Sequence, residues 1–243
     1  MPENDFNLTR ALNCWWRRQR QEVGWLHAFT RLNAVLFEFL RDSLPGRSRR
    51  RYGDIDFDWE HRVDTTSGTV SWRTRLLGLL SSPYQPIPAE EFREIMNALA
   101  IDFTQFTFID VGSGKGRALM LACGFGFRRI IGIELLPELH RIAQENLRKF
   151  ERKGTVCNIE LLCEDATRFA FPAEPTVVFL FNPLPQSSLA ILLENIAASL
   201  CQHPRVLYVV YANPVHETVL AQSQVLRKTV GNLKYCVFRS KAS

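Results

Sequence analysis

From residue 86 onward, apolar positions switch repeatedly between helical and extended spacing. Phe92, Ile95 and Leu99 recur three and four apart, which predicts a helix. Residues 106–111 form a β-rich run that ends in glycines, residues 116–123 read as a helix, and residues 128–133 read as a second strand. Pro137 opens the next helix, where the first turn tolerates proline. Leu139, Ile142, Ala143, Leu147 and Phe150 line its inner face, and Gly154 closes it. Residues 156–163, 175–181 and 205–211 read as further strands. The last two flank a helix striped by Leu189, Leu192, Leu193, Ile196, Ala197 and Leu200. Residues 225–230 and 233–238 read as a terminal strand pair turned at Gly231 and Asn232. Apolar strands alternating with helices predict an α/β fold: a doubly wound, mostly parallel sheet covered on both faces, with an antiparallel edge.

Residues 1–85 have a different texture and hold all five tryptophans (15, 16, 25, 59 and 72). Leu8, Leu12, Trp15 and Trp16, then Leu26, Phe29, Leu32, Leu36 and Leu40, predict two amphipathic helices ending near Leu44, Pro45 and Gly46. They read as a helical cap, or as a helix for a partner or membrane surface. The arginine-rich residues 47–51 and the acidic, aromatic residues 54–60 read as a solvated loop. A basic hook for a phosphate backbone is the alternative for the arginines. The polar run Val63, Asp64, Thr65, Thr66, Ser67, Gly68 suits either a connecting loop or a loop that folds over a cofactor. The expected organisation is a helical extension and loop region over 1–85 and an α/β core over 86–243.

Composition narrows the picture modestly. A 243-residue chain with 46% hydrophobic and 23% charged residues is one large domain with an appendage, not a disordered chain. Thirty basic against 25 acidic residues give a formal charge of +5, which permits an acidic partner such as RNA without demanding one. The N-terminal residues lack a secretory pattern, and no apolar run of about 18 residues occurs, so the expected location is cytoplasmic. None of the six cysteines forms a C-x-x-C pair. They read as reduced, mostly buried thiols without metal-ligand spacing.

The chemistry concentrates after the first strand, at Asp110, Gly112, Ser113, Gly114, Lys115, Gly116 and Arg117. Glycines there permit left-handed backbone and close approach of a ligand. A dinucleotide fingerprint needs glycine at 117, where Arg117 stands, and a P-loop needs glycine at 109, where Ile109 stands. Glu134 ends the second strand and Asp165 follows the third. In a doubly wound sheet the carboxyl ends of neighbouring strands meet at one crevice, so the three acids line one groove. Glu134 suits two ribose hydroxyls, Asp165 an adenine amino group, and Asp110 a cationic amino acid moiety. Asp165 has a second reading as the cap of a short helix. Lys115 and Arg117 either meet a cofactor carboxylate, or are exposed or pair with a nearby acid.

With these residues, positions 104–184 resemble class I (seven-strand) S-adenosylmethionine-dependent methyltransferases. Residues 108–117 resemble that family's first motif, Glu134 its ribose-binding acid, and residues 163–166 its third motif. Asn182, Pro183, Leu184 and Pro185 are similar to its fourth. Leu184 and Pro185 depart from the proline and aromatic residue of amino-directed members, which weighs against a DNA base as acceptor. The resemblance implies the strand order 3-2-1-4-5-7-6 and S-adenosyl-L-methionine as cofactor, held by Asp110, Gly112, Ser113, Gly114, Gly116, Glu134, Leu135, Asp165, Ala166 and Asn182. It implies direct in-line methyl transfer, with Asn182 as the catalytic candidate. The acceptor is a protein side-chain amine ahead of a small molecule or RNA. An aminopropyl transferase and a non-catalytic module binding nucleoside or RNA are the competing readings.

Overall fold

The computed structural model describes residues 16–17, 20, 24–26, 29–30, 32–33, 55–66, 85–151, 157–181 and 184–241. Seven strands are β1 (Thr107–Val111), β2 (Arg129–Glu134), β3 (Ile159–Cys163), β4 (Thr176–Phe181), β5 (Leu207–Ala212), β6 (Leu226–Gly231) and β7 (Tyr235–Ser240). They form one sheet in the order β3-β2-β1-β4-β5-β7-β6. The pairs from β3 through β5 are parallel, and β7 runs antiparallel to both β5 and β6. The order implied by the methyltransferase resemblance is the order observed, and the predicted antiparallel edge is the β6–β7 hairpin.

The numbered helices are α1 (Ile55–His61), α2 (Ala89–Leu99), α3 (Arg117–Cys123), α4 (Pro137–Glu151), α5 (Gln186–Gln202) and α6 (Glu217–Ala221). Alternate residues of each strand serve opposite cores. Phe108, Val177, Phe179 and Val210 join α2, α3 and the end of α4 on one face. Ile109, Val111, Val178 and Leu180 join α5 and Leu220 of α6 on the other. Phe92 of α2 centres the first core, with ring centroids 5.9 Å from Phe108, 5.9 Å from Phe125 and 5.3 Å from Phe179. The strands therefore read as apolar runs because both of their faces are covered.

Three readings change. The acidic run taken for a solvated loop is helical, because Phe57 and Asp58 turn inward while Trp59 and Glu60 face out. The terminal hairpin turns over Asn232, Leu233 and Lys234 rather than at Gly231, since the Asn232 carboxamide accepts from the amides of Lys234 (2.8 Å) and Tyr235 (2.9 Å). Cys123 and Cys157, expected as free thiols, form a disulfide with Cα atoms 5.8 Å apart. Their separation of 34 residues hides the pairing from any local motif. Cys163, Cys201 and Cys236 are free.

The chain divides into two compact units. One comprises 54–65 with 86–243 and contains the sheet; the other comprises 1–53 with 66–85. Within the second, the described residues of 16–17, 20, 25–26, 29–30 and 32–33 are helical, and Trp25, Leu26 and Phe29 are exposed. The remainder of the two anticipated N-terminal helices, and the arginine block 47–51, lie outside the described residues. Among the described residues no helix is long and apolar enough to cross a membrane.

Candidate active site

The strand order reverses between β2-β1 and β4, which opens a crevice at the carboxyl ends of β1, β2 and β4. Asp110 lies one residue before the end of β1, with Gly132 of β2 and Phe179 of β4 as its register partners. The chain then turns through Gly112, Gly114 and Gly116 at φ 73°, 55° and 84°. A side chain is strained in that region, so the loop's path favours glycine at all three positions. The Gly112 and Ser113 amides donate to the Ile133 carbonyl (2.8 and 3.0 Å), and the Gly116 amide donates to the Ser113 carbonyl (2.8 Å). Gly116 also caps α3, and a Cβ there would sit 3.4 Å from Ala143 Cβ. Ser113 is buried, and its Oγ packs over Gly132, where a Cβ would lie 3.0 Å away.

Glu134 ends β2 and is 6% exposed. Its Oε2 accepts from the Gly114 amide (2.7 Å) and its Oε1 from the Leu136 amide (2.8 Å). Burial pushes this carboxyl above the usual range, and the backbone N–H groups of Leu136, Gly114 and Leu135 pull it back. Asp110 is 4% exposed. It lacks such donors among the described residues. Burial, and then the nearby Glu134 carboxylate, push it up to about 8. The two acids thus differ in character: Glu134 is held by backbone amides, while Asp110 is a buried carboxyl raised by burial and by Glu134.

Leu135 is 43% exposed beside Glu134. Asp165 is exposed, and its Oδ1 accepts from the Thr167 amide (2.9 Å) and hydroxyl (2.7 Å), capping the 3-10 turn Ala166–Arg168. Ala166 is buried beneath it. The capping reading of Asp165 is therefore the one observed, with one oxygen taking both cap bonds. Asn182 and Pro183 lie outside the described residues.

Lys115 and Arg117 do not reach into the groove as free cations. Lys115 is fully buried and its Nζ donates to Asp64 Oδ1 at 3.0 Å. Arg117 donates to Thr65 Oγ1 (3.0 Å), lies 3.6 Å from Asp58 Oδ1, and stacks its guanidinium 4.6 Å from the Phe57 ring centroid. Burial lowers the Lys115 ammonium below its ordinary value, and the bond to Asp64 offsets this. The partner acids are Asp58, in the run expected as a solvated loop, and Asp64, in the polar run expected as either a connecting loop or a loop over a cofactor. Asn146 of α4 also went unnoticed. Its carboxamide accepts from the Asp64 amide (2.9 Å) and donates to the carbonyls of Asp64 (2.8 Å) and Lys115 (3.0 Å). The available signal was its position: Asn146 falls on the apolar stripe of α4, between Ala143 and Phe150.

No protein-family model matches the chain, and no curated protein does. Among solved structures it is similar to a ribosomal protein L11 methylase from Lactobacillus delbrueckii subsp. bulgaricus, at 18% identity over 64% of this chain and 77% of that one, with a TM-score of 0.45. It is similar to an RNA methyltransferase from Salinibacter ruber in complex with S-adenosyl-L-homocysteine, at 22% identity over 64% and 92%, TM-score 0.44. It is also similar to a precorrin 8W decarboxylase from Methanobacterium thermoautotrophicum, at 20% identity over 65% and 92%, TM-score 0.44. At these identities the likeness is one of fold, and function has to be argued from the site.

Proposed function

We propose that this protein is an S-adenosylmethionine-dependent methyltransferase. Asp110, Gly112, Ser113, Gly114, Gly116, Glu134, Leu135, Asp165 and Ala166 would hold the cofactor. The observation that carries the reading is Asp110: a buried carboxyl beside a three-glycine turn, without a hydrogen-bond donor among the described residues. A cationic ammonium or sulfonium would restore its charge, whereas a phosphate group would favour the protonated acid and gain no such pairing. The residues therefore fit a cationic nucleoside better than a nucleotide.

Each remaining group has a matching task. Glu134 is oriented by two backbone amides, and each of its oxygens retains lone-pair capacity for a ribose hydroxyl. Leu135 offers an apolar surface to a flat base, and Asp165 retains one oxygen outside its cap for an amino group. When bound, the cofactor supplies the activated methyl group and its leaving group. The chain's part is to bind, to align an acceptor in line with the methyl, and to exclude water.

For the acceptor we favour a protein side-chain amine over a small molecule or RNA. The support is the motif resemblance at Asn182, which directly follows β4 in the sequence and whose residue type suits an amine N–H as a carboxamide acceptor. Incubation of the purified protein with methyl-labelled cofactor and a cell lysate tests both steps. Label in the protein fraction supports an amine acceptor, and label in RNA or small molecules reassigns it. Cofactor binding without any transfer favours a non-catalytic nucleoside-binding module. An unchanged transfer rate in Asn182→Ala removes that residue from the reaction.

A further inference from the structure

We propose that residues Phe57–Thr65 act as a strap that sets the shape of the cofactor loop from outside, with Lys115 and Asn146 as its positioning residues. The inference rests on the cofactor reading of the glycine loop.

A loop with three left-handed glycines has many conformations open to it, so something must select one. Its inner side is held by β2, through the Ile133 carbonyl and the Glu134 carboxylate. Its outer side is held by the strap. Lys115, with no exposed surface, bonds Asp64 at 3.0 Å, and Arg117 reaches Thr65 and Asp58. The strap is itself braced. Asp58 accepts from the Thr65 amide at 2.7 Å and from the Thr65 hydroxyl, and His61 stacks between Phe57 and Phe150, with ring centroids 4.3 and 5.4 Å away. Asn146 joins strap and loop directly. It pairs with both backbone groups of Asp64, as a neighbouring strand would, and ties the Lys115 carbonyl to the same amide group. A continuous chain of bonds then runs from Asp64 through Lys115 to Gly114, and from the Gly114 amide to Glu134.

Binding to a preorganised loop avoids the ordering cost at the moment of association. Loosening the strap should therefore weaken cofactor binding without any direct contact being lost. Lys115→Met is the informative change. It removes the charge but keeps length, and it leaves Asp64, whose side chain is one-third exposed, in contact with water. Removing one member of a fully buried pair strands the other charge, and the partial exposure of Asp64 is what spares this variant that cost.

Equilibrium dialysis with S-adenosyl-L-homocysteine, together with thermal melting, tests the idea. The expected result is about tenfold weaker binding in Lys115→Met with a melting temperature at or above wild type. A purely structural role would lower the melting temperature and leave the affinity unchanged; affinity within twofold of wild type overturns the proposal. Amide hydrogen exchange on the wild-type protein gives a second reading that needs no variant. Saturating S-adenosyl-L-homocysteine should slow exchange at Asp64 and Thr65 by more than it does at Lys241, whose amide bonds Val225 at the far sheet edge. Equal slowing overturns the strap. Wild-type protein that binds no S-adenosyl-L-homocysteine overturns the cofactor reading and the strap with it. Binding by wild type and Lys115→Met alike overturns the strap alone.

Discussion

Replacing Asp110 with asparagine separates what the site does for binding from what it costs in stability. Asp110 is held up to about 8 by burial and by Glu134, against an ordinary value of 3.8. A carboxyl whose folded pKa lies above its unfolded one binds more protons in the folded state. Its contribution to stability is complete below pH 3.8 and is lost as pH rises through about 8. The span from 3.8 to about 8, at 1.36 kcal/mol per pH unit, sets a ceiling of roughly 6 kcal/mol. Asparagine buries an amide lacking full hydrogen bonding, which costs about 1–3 kcal/mol, and water entering the groove screens part of the rest. A net gain of ~2 kcal/mol at pH 8 is expected, or about 4–8 °C in melting temperature for a chain of this size. Thermal unfolding of Asp110→Asn and wild type from pH 4 to pH 8 reads this out. The melting-temperature difference should be near zero or negative at pH 4 and should grow with pH. Over the same range the variant should lose about 10–100-fold in affinity for S-adenosyl-L-homocysteine, since a charge-assisted bond contributes roughly 1.5–3 kcal/mol. A difference that does not change with pH, or a variant less stable at pH 8, would refute the electrostatic reasoning.

Other perturbations have equally definite outcomes. Phe92→Ala empties the centre of the core shared by α2, β1 and β4 and should cost about 3–5 kcal/mol, read by urea unfolding. Gly132→Ala places a Cβ 2.5 Å from Leu119 Cδ1, 2.9 Å from Leu161 Cδ2 and 3.0 Å from Ser113 Oγ. It should destabilise by about 1–3 kcal/mol and weaken cofactor binding, because the Ser113 turn must shift. Reducing the Cys123–Cys157 bond, which closes a loop of 34 residues, should cost about 3–4 kcal/mol, and Cys157→Ser should reproduce the loss without reductant.

The parallel sheet was legible because β1, β2, β4 and β5 are buried on both faces and so appear as largely apolar runs. The glycine turn was legible because a left-handed backbone leaves few residue choices at 112, 114 and 116. Glu134 was legible as an acid at a strand's carboxyl end. For Lys115 the pairing with an acid was legible but its partner was not, because Asp64 lies 51 residues upstream. Helix α1 was hidden by its charge: Asp56, Asp58 and Glu60 suggested solvent, and seven residues are too few for apolar periodicity to speak. Asn146 looked like an ordinary polar residue on a helix, since its role depends on backbone groups brought to it from two other segments. Asp165 was legible as a cap, one of its two readings, because an Asp before a short helix is a common capping residue.

The central claim is that the groove at the carboxyl ends of β1 and β2 accepts a cationic thioether nucleoside. Titration calorimetry of the folded, full-length chain with S-adenosyl-L-methionine and S-adenosyl-L-homocysteine addresses it most directly. The account predicts saturable one-to-one binding of both at neutral pH, abolished in Glu134→Ala. Well-folded protein that takes up neither ligand would contradict it.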